Sequence, residues 1–173
     1  MSMIKIAVLA ATALAVPGAA LAHVTLQVGE APADSYYRAV LQVGHGCEGA
    51  PTNEIRVKVP DGMQSAKPMP KAGWQVEAIK GKLAEPYESH ARTITEDVTE
   101  IRWTGGNLPD THYDEFVFRG KLPDRPAGTV LYVPVVQICE QGEHRWIEIP
   151  AEGQNPGDLD EPAPGVRLTG KAR

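Results

Sequence analysis

His23 follows Ala20-Leu21-Ala22, and small residues at the −3 and −1 positions are the pattern after which a signal peptidase cuts. Cleavage there makes His23 the first residue of the mature chain and frees its α-amine. Amine and imidazole Nδ1 of one N-terminal histidine together close a six-membered chelate on a metal ion. The amine titrates at about 7.7–8.0, so near neutrality a metal displaces its proton at modest cost. Nitrogen donors of this kind suit copper, which also heads the divalent affinity series. The competing reading is that cleavage exposes an ordinary strand-start residue, and spacing alone does not separate the two.

The other histidines are His45, His90, His112 and His144. None forms the paired-histidine helix motif of a zinc protease. His45 lies in Gly44-His45-Gly46-Cys47, a loop-like stretch, where it is either a second ligand or a solvated side chain. His112 precedes a strand signal, and His144 alternates with Trp146 and Glu148; for both a surface role is the plain expectation. In Tyr113-Asp114-Glu115-Phe116-Val117-Phe118, period-2 alternation puts Asp114, Phe116 and Phe118 on one face and Tyr113, Glu115 and Val117 on the other. A carboxylate held mid-strand among bulky residues requires a cation or a basic partner. In Arg145-Trp146-Ile147-Glu148-Ile149, Ile147 and Ile149 mark the apolar face, so Trp146 is expected to point the opposite way, which is unusual for so large an apolar residue. No serine or cysteine nucleophile triad and no phosphate-binding glycine loop can be read from spacing.

The elements that must position these residues read as strands. Residues 1–22 carry Lys5 as their only charge and an apolar run from Ile6 to Val16. A run of that length suits a secretory signal and is shorter than the roughly 20 residues of a membrane-spanning helix. Its removal takes the formal charge from −5 to −6 by loss of one lysine, and an acidic chain without basic clusters is a poor nucleic-acid partner. Export places Cys47 and Cys139 in an oxidising compartment, where a single disulfide is the default over free thiols or a thiolate metal site. Alternating or β-branched segments occur at 23–28, 36–43, 54–59, 74–79, 99–103, 113–118, 129–138 and 145–149, separated by turn formers such as Pro60-Asp61-Gly62 and Gly105-Gly106. About eight short strands with frequent breakers predict an all-β protein, a single β-sandwich. The expected organisation is a cleaved signal peptide at 1–22, one domain at 23–150 and an extended acidic, proline-rich tail at 151–173.

Taken together, His23-Val24-Thr25, Pro68-Met69-Pro70-Lys71-Ala72-Gly73-Trp74, Ile101-Arg102-Trp103 with Gly105-Gly106, the Tyr113–Phe118 segment and the late Trp146 resemble the YcnI-like family of exported copper-binding domains across essentially the whole mature chain. The resemblance implies a cupredoxin-like or immunoglobulin-like sandwich that binds Cu(II) through a single-histidine brace. The implied ligand set is the amine and imidazole of His23 and the carboxylate of Glu115, with Trp146 beside the metal and Asp114 as the alternative if the register is shifted. Whether His45 or His112 adds a ligand is left open. The Cys47/Cys139 pair resembles the Gram-negative subgroup, which implies a periplasmic location. Unlike some members, this sequence shows no membrane helix at its end, so a diffusible protein is expected. The expected role is a copper chaperone or buffer, with the copper ion as ligand and a membrane copper transporter or oxidase-assembly protein as partner. Two other readings stand beside it: a copper oxygenase of the N-terminal-histidine type, and a structural or adhesive sandwich without metal. A carboxylate donor disfavours Cu(I), the form that must meet oxygen, and so counts against the oxygenase.

Overall fold

The computed structural model describes residues 23–171; the expected signal peptide lies outside them. The polypeptide is all-β, with twelve strands and one short 3-10 turn among the described residues. β1 (Thr25–Leu26), β3 (Tyr36–Val43), β8 (Asp114–Lys121) and β5 (Gln64–Pro68) form a four-stranded sheet in the order β1-β3-β8-β5. β11 (Glu143–Trp146), β10 (Val135–Cys139), β4 (Thr52–Lys58), β7 (Arg92–Leu108) and β6 (Gln75–Ser89) form a five-stranded sheet in that order. A third sheet joins β2 (Glu30–Pro32), β12 (Gly165–Thr169) and β9 (Val130–Tyr132).

Alternation fixes which side of each strand enters the core. In β4, Ile55 and Val57 are buried between Glu54, Arg56 and Lys58. Across the sheet, Val135, Val57 and Ile101 lie in one line of opposed residues, and Gln137, Ile55 and Trp103 in the next. The facing sheet contributes Ala39, Leu41, Val43, Phe116 and Phe118, and Trp103 meets Phe116 edge-on at 5.7 Å between ring centroids. Gly106 is required here because a β-carbon would lie about 2.0 Å from the Trp74 ring, which caps Phe116 at 4.9 Å. Cys47 and Cys139 form the expected disulfide, 92 residues apart in sequence; closing a loop that long in the unfolded chain is worth about 4–5 kcal/mol in the chain-entropy model.

Several local expectations change. The 23–28 strand contracts to Thr25–Leu26, the two residues in register with β3, although the Gln27 N–H still donates to the Val40 carbonyl at 3.0 Å. The 129–138 segment divides into β9 and β10 around Pro134, whose missing N–H interrupts a ladder. The segment expected as an extended tail carries β12, which pairs with β2 and β9 and buries Val166 and Leu168. Proline and acid content suggested an extended segment there, but five residues with inward valine and leucine suffice for a strand. The expected face of β11 is reversed as well: Trp146 is 2% exposed, whereas Ile147 and Ile149 are 38% and 57% exposed. The chain turns out of the sheet immediately after Trp146, where Ile147 N–H bonds the Arg145 carbonyl at 2.7 Å, so alternation does not carry across that point.

The long β6–β7 hairpin closes at His90 and Ala91, both left-handed (φ 48° and 60°) between the opposed residues Ser89 and Arg92. A two-residue turn with positive φ at both positions is the type I′ geometry that favours Asn-Gly, and left-handed backbone costs other residues about 1 kcal/mol or more each. The double substitution His90→Asn/Ala91→Gly is therefore expected to raise the thermal midpoint by roughly 2–4 °C per kcal/mol gained, measured by circular dichroism.

Candidate metal centre

Three imidazoles converge on one indole at the end of the sandwich. His144 stacks on Trp146 with ring centroids 5.0 Å apart. His23 approaches the same indole edge-on at 5.4 Å, and His45 at 6.3 Å. His45 and His144 are 5.7 Å apart. The register explains the convergence. Trp146 opposes Val135 and His144 opposes Gln137, and since Val135 and Gln137 are core-facing, both β11 side chains face inward at the edge of the five-stranded sheet.

Gln137 holds this arrangement together. It is 1% exposed, and its Oε1 accepts from Trp146 Nε1 at 3.1 Å. Its Nε2 donates to the His45 carbonyl at 2.7 Å and to Thr52 Oγ1 at 2.8 Å. The His45 loop is tied further by Gly46 N–H to Asp110 Oδ1 at 2.8 Å and by the disulfide one residue on. Gly46 itself admits no side chain, since a β-carbon would sit 1.9 Å from the Ala50 carbonyl oxygen.

His23 lies just before β1, on the rim of an open groove of about 350 Å³ that Tyr132, Pro162, Pro164 and Arg167 also line. Its Nε2 is buried and has no hydrogen-bond partner among the described residues. The nitrogen left to an external ligand is therefore Nδ1, the one that also forms a chelate with the α-amine. The T-shaped contact with Trp146 places a ring edge against a π-face, a favourable setting for an imidazole without an oxygen acceptor.

Glu115 stands on the same sheet as β1, with Gln42 of β3 between them: Thr25 opposes Gln42, and Gln42 opposes Glu115. Two strand spacings, roughly 10 Å, thus separate β1 from β8. Tyr113 OH donates to the Glu115 carboxylate, and this bond, first among the causes, holds the Tyr113 phenol above its ordinary pKa. Gln42 Nε2 reaches the Tyr113 oxygen at 3.3 Å, and Thr25 Oγ1 reaches Gln42 at 3.4 Å, which links Glu115 back to the strand that begins beside His23. Asp114 takes the other face, where Lys71 Nζ binds it at 2.6 Å and lies 5.0 Å from the Phe116 centroid. That is the basic partner a mid-strand carboxylate requires. His112 is exposed and contacts Thr111 Oγ1; His90 is at the hairpin tip. Among the described residues no group of three or more His, Cys, Asp or Glu side chains is gathered for a metal. The donors brought together are instead histidines around an indole. Their common feature, His144 and Trp146 on one strand face, was readable from the sequence, whereas the approach of His23 and His45 was not.

A family model described as "Domain of unknown function (DUF1775)" matches residues 23–168, so the match begins at His23 and includes β12. No curated protein matches the chain. A crystal structure of an uncharacterized protein from Nocardia farcinica, described as having an immunoglobulin-like fold, is similar at a TM-score of 0.63 and 22% identity, covering 85% of this chain and 98% of that one. At that identity the likeness establishes the fold, an immunoglobulin-like sandwich.

Replacing Gln137 by Leu leaves the Trp146 N–H, the His45 carbonyl and the Thr52 hydroxyl to find new partners in the interior. Unsatisfied buried groups cost about 1–3 kcal/mol each. Gln137→Leu is thus expected to lower stability in urea unfolding by roughly 2–4 kcal/mol and to shift the His45 ring resonances, while the exposed control Glu152→Gln changes neither.

Proposed function

The chain belongs to the family described as a domain of unknown function, DUF1775, and from that premise we propose that it is an exported Cu(II)-binding protein, a periplasmic copper chaperone or buffer rather than an enzyme. The observation that carries the reading is His23: a histidine set against Trp146 with its Nε2 buried and, among the described residues, unpartnered, at the residue where the family match and the expected mature chain both begin. Cleavage adds an α-amine to that residue and completes a two-nitrogen chelate. Glu115 supplies the carboxylate in this reading. To do so it exchanges Tyr113 for the metal; Gly44, just past the end of β3, has nothing within 4 Å of where its side chain would be. Trp146 forms one wall and excludes water from the inner side.

Two nitrogens and a carboxylate suit Cu(II), whereas Cu(I) prefers thiolate or thioether donors. Reduction therefore loosens the cargo, which provides for release to a membrane transporter or an oxidase-assembly protein. Among the described residues no helix is long and apolar enough to cross a membrane, and the Cys47–Cys139 disulfide is compatible with an extracytoplasmic setting.

Cu(II) titration of protein beginning at His23, beside protein with one extra residue ahead of it, tests the chelate. Losing one of two linked donors is expected to weaken the site by about 100-fold or more; equal affinity at that site removes the amine from the ligand set. Glu115→Gln is expected to weaken the same site by about tenfold, and an effect no larger than that of Glu152→Gln assigns the carboxylate elsewhere.

A further inference from the structure

The outer face of the four-stranded sheet carries a row of positive charge that neither the core nor the copper site uses. Arg38 of β3 opposes Arg119 of β8, and Arg119 in turn opposes Lys67 of β5. Opposed residues share one side of a sheet, and all three side chains are exposed, so the cations stand side by side across three strands. Like charges directly opposite one another destabilise a sheet. Elsewhere the fold offsets that cost. Arg56 and Arg102 are opposed in the five-stranded sheet, but Glu54 holds the first and Glu100 the second. Lys121, two residues along β8 from Arg119, is held by Asp34 at 2.6 Å. Among the described residues, Arg38, Arg119 and Lys67 have no acidic partner. Arg119 instead lies over the exposed Tyr36 ring, 4.6 Å from its centroid, an attraction that positions the guanidinium without using its N–H donors.

An apolar groove of about 280 Å³ adjoins the row, with Val117, Pro68, Met69 and Pro70 in its walls. Met69 is exposed, and its N–H is already bonded to the Val117 carbonyl at 2.8 Å. The prolines on either side have no N–H to offer. The groove therefore suits side chains and does not add a strand by backbone pairing.

We propose that this face is a docking surface for an acidic segment of a partner protein, which sets carboxylates on Arg38, Arg119 and Lys67 and an apolar side chain against Met69. The three cations span two strand spacings, roughly 10 Å, and an extended segment repeats a side chain on one face about every 7 Å. Two carboxylates two residues apart thus cover the row, and guanidinium groups match carboxylates in shape as well as charge. A groove favours a chain segment over a flat lipid surface, and three cations fall short of the roughly four to eight that hold a protein on anionic lipid. Back along β8 from Arg119, alternation places Val117 and then Glu115 on this same face, about 14 Å away. The docked partner is therefore also the one placed to exchange copper, a link that rests on the proposed function, whereas docking itself does not.

The test is an NMR titration of metal-free protein with a blocked peptide, Glu-Ser-Glu-Ser-Leu, beside a Gln-Ser-Gln-Ser-Leu control. The acidic peptide is expected to shift the amides of Arg119, Lys67 and Met69, and the control to bind at least about tenfold more weakly. The double variant Arg38→Gln/Lys67→Gln, which leaves the Arg119–Tyr36 contact in place, is expected to lose the acidic peptide. Its thermal midpoint is expected to rise by about 1–2 °C, since like charges are removed from register. Arg56→Gln, at an arginine already paired, is expected to leave peptide binding unchanged. The proposal is overturned if the native protein does not distinguish the two peptides, or if the folded double variant binds the acidic one as well as the native protein does. It is also overturned if phosphatidylglycerol vesicles, or a second copy in sedimentation, bind through these residues while the peptide does not. Cu(II) titration of the double variant is expected to match that of the native protein, so failure of docking leaves the copper site standing, and loss of the copper site leaves docking.

Discussion

A single buried amide, Gln137, sets the geometry of the histidine-rich end of this sandwich. Its carbonyl receives the Trp146 indole N–H, and its amino group serves both the His45 carbonyl and the Thr52 hydroxyl. A polar group buried without partners is costly, and one with every partner in place admits few alternative arrangements. The position of the indole, and of the imidazoles against it, follows from this constraint. The same strand ends in Cys139, so amide and disulfide act on the His45 loop within three residues of each other.

Protein cores rarely place a tryptophan at an edge strand unless something closes over it. Here the closing is done by polar-tipped rings and by the 161–164 segment, which returns to bridge Glu148 with Pro162 and to set Glu161 on His144. β12 then continues into the third sheet between β2 and β9. The chain beyond residue 150 thus has two roles: it completes the core through Val166 and Leu168, and it sets the Glu161 carboxylate on a histidine of another strand. Tyr37 makes a similar tie at the opposite side of β1, donating to the Val28 carbonyl at 2.5 Å. Burial pushes its phenol up to about 12. Because the folded value lies above the unfolded one, the tie is fully present below pH 10 or so and is lost as pH rises through the folded value.

The arrangement of the carboxylates shows how a two-layer fold sorts similar residues. Asp114 and Glu115 are neighbours in sequence, yet alternation sends one to Lys71 and Phe116 and the other to Tyr113 and Gln42. Only the second lies on the side of the sheet shared with Thr25, two residues beyond His23. This is why a carboxylate ligand from Glu115 is compatible with the strand order, while Asp114 is already satisfied in an ion pair.

The sequence alone determined the class of fold, because β4 alternates cleanly, a period of two has a single structural meaning, and turn formers bound the other short β-rich segments. It also left one possible cysteine pairing, since the chain has only two cysteines, and it placed His144 and Trp146 on one strand face. It did not determine which face was inward. Ile147 and Ile149 follow Trp146 with strand-like spacing, but the chain has left the ladder by then, and departure from a ladder is a matter of tertiary hydrogen bonding. Nor did it reveal β12, whose burial depends on partners more than 30 residues away in sequence. The convergence of His23, His45 and His144 was decided only by tertiary structure. They come from a strand start, a loop and an edge strand, and no local periodicity relates them; register, Gln137 and the disulfide bring them to the same indole.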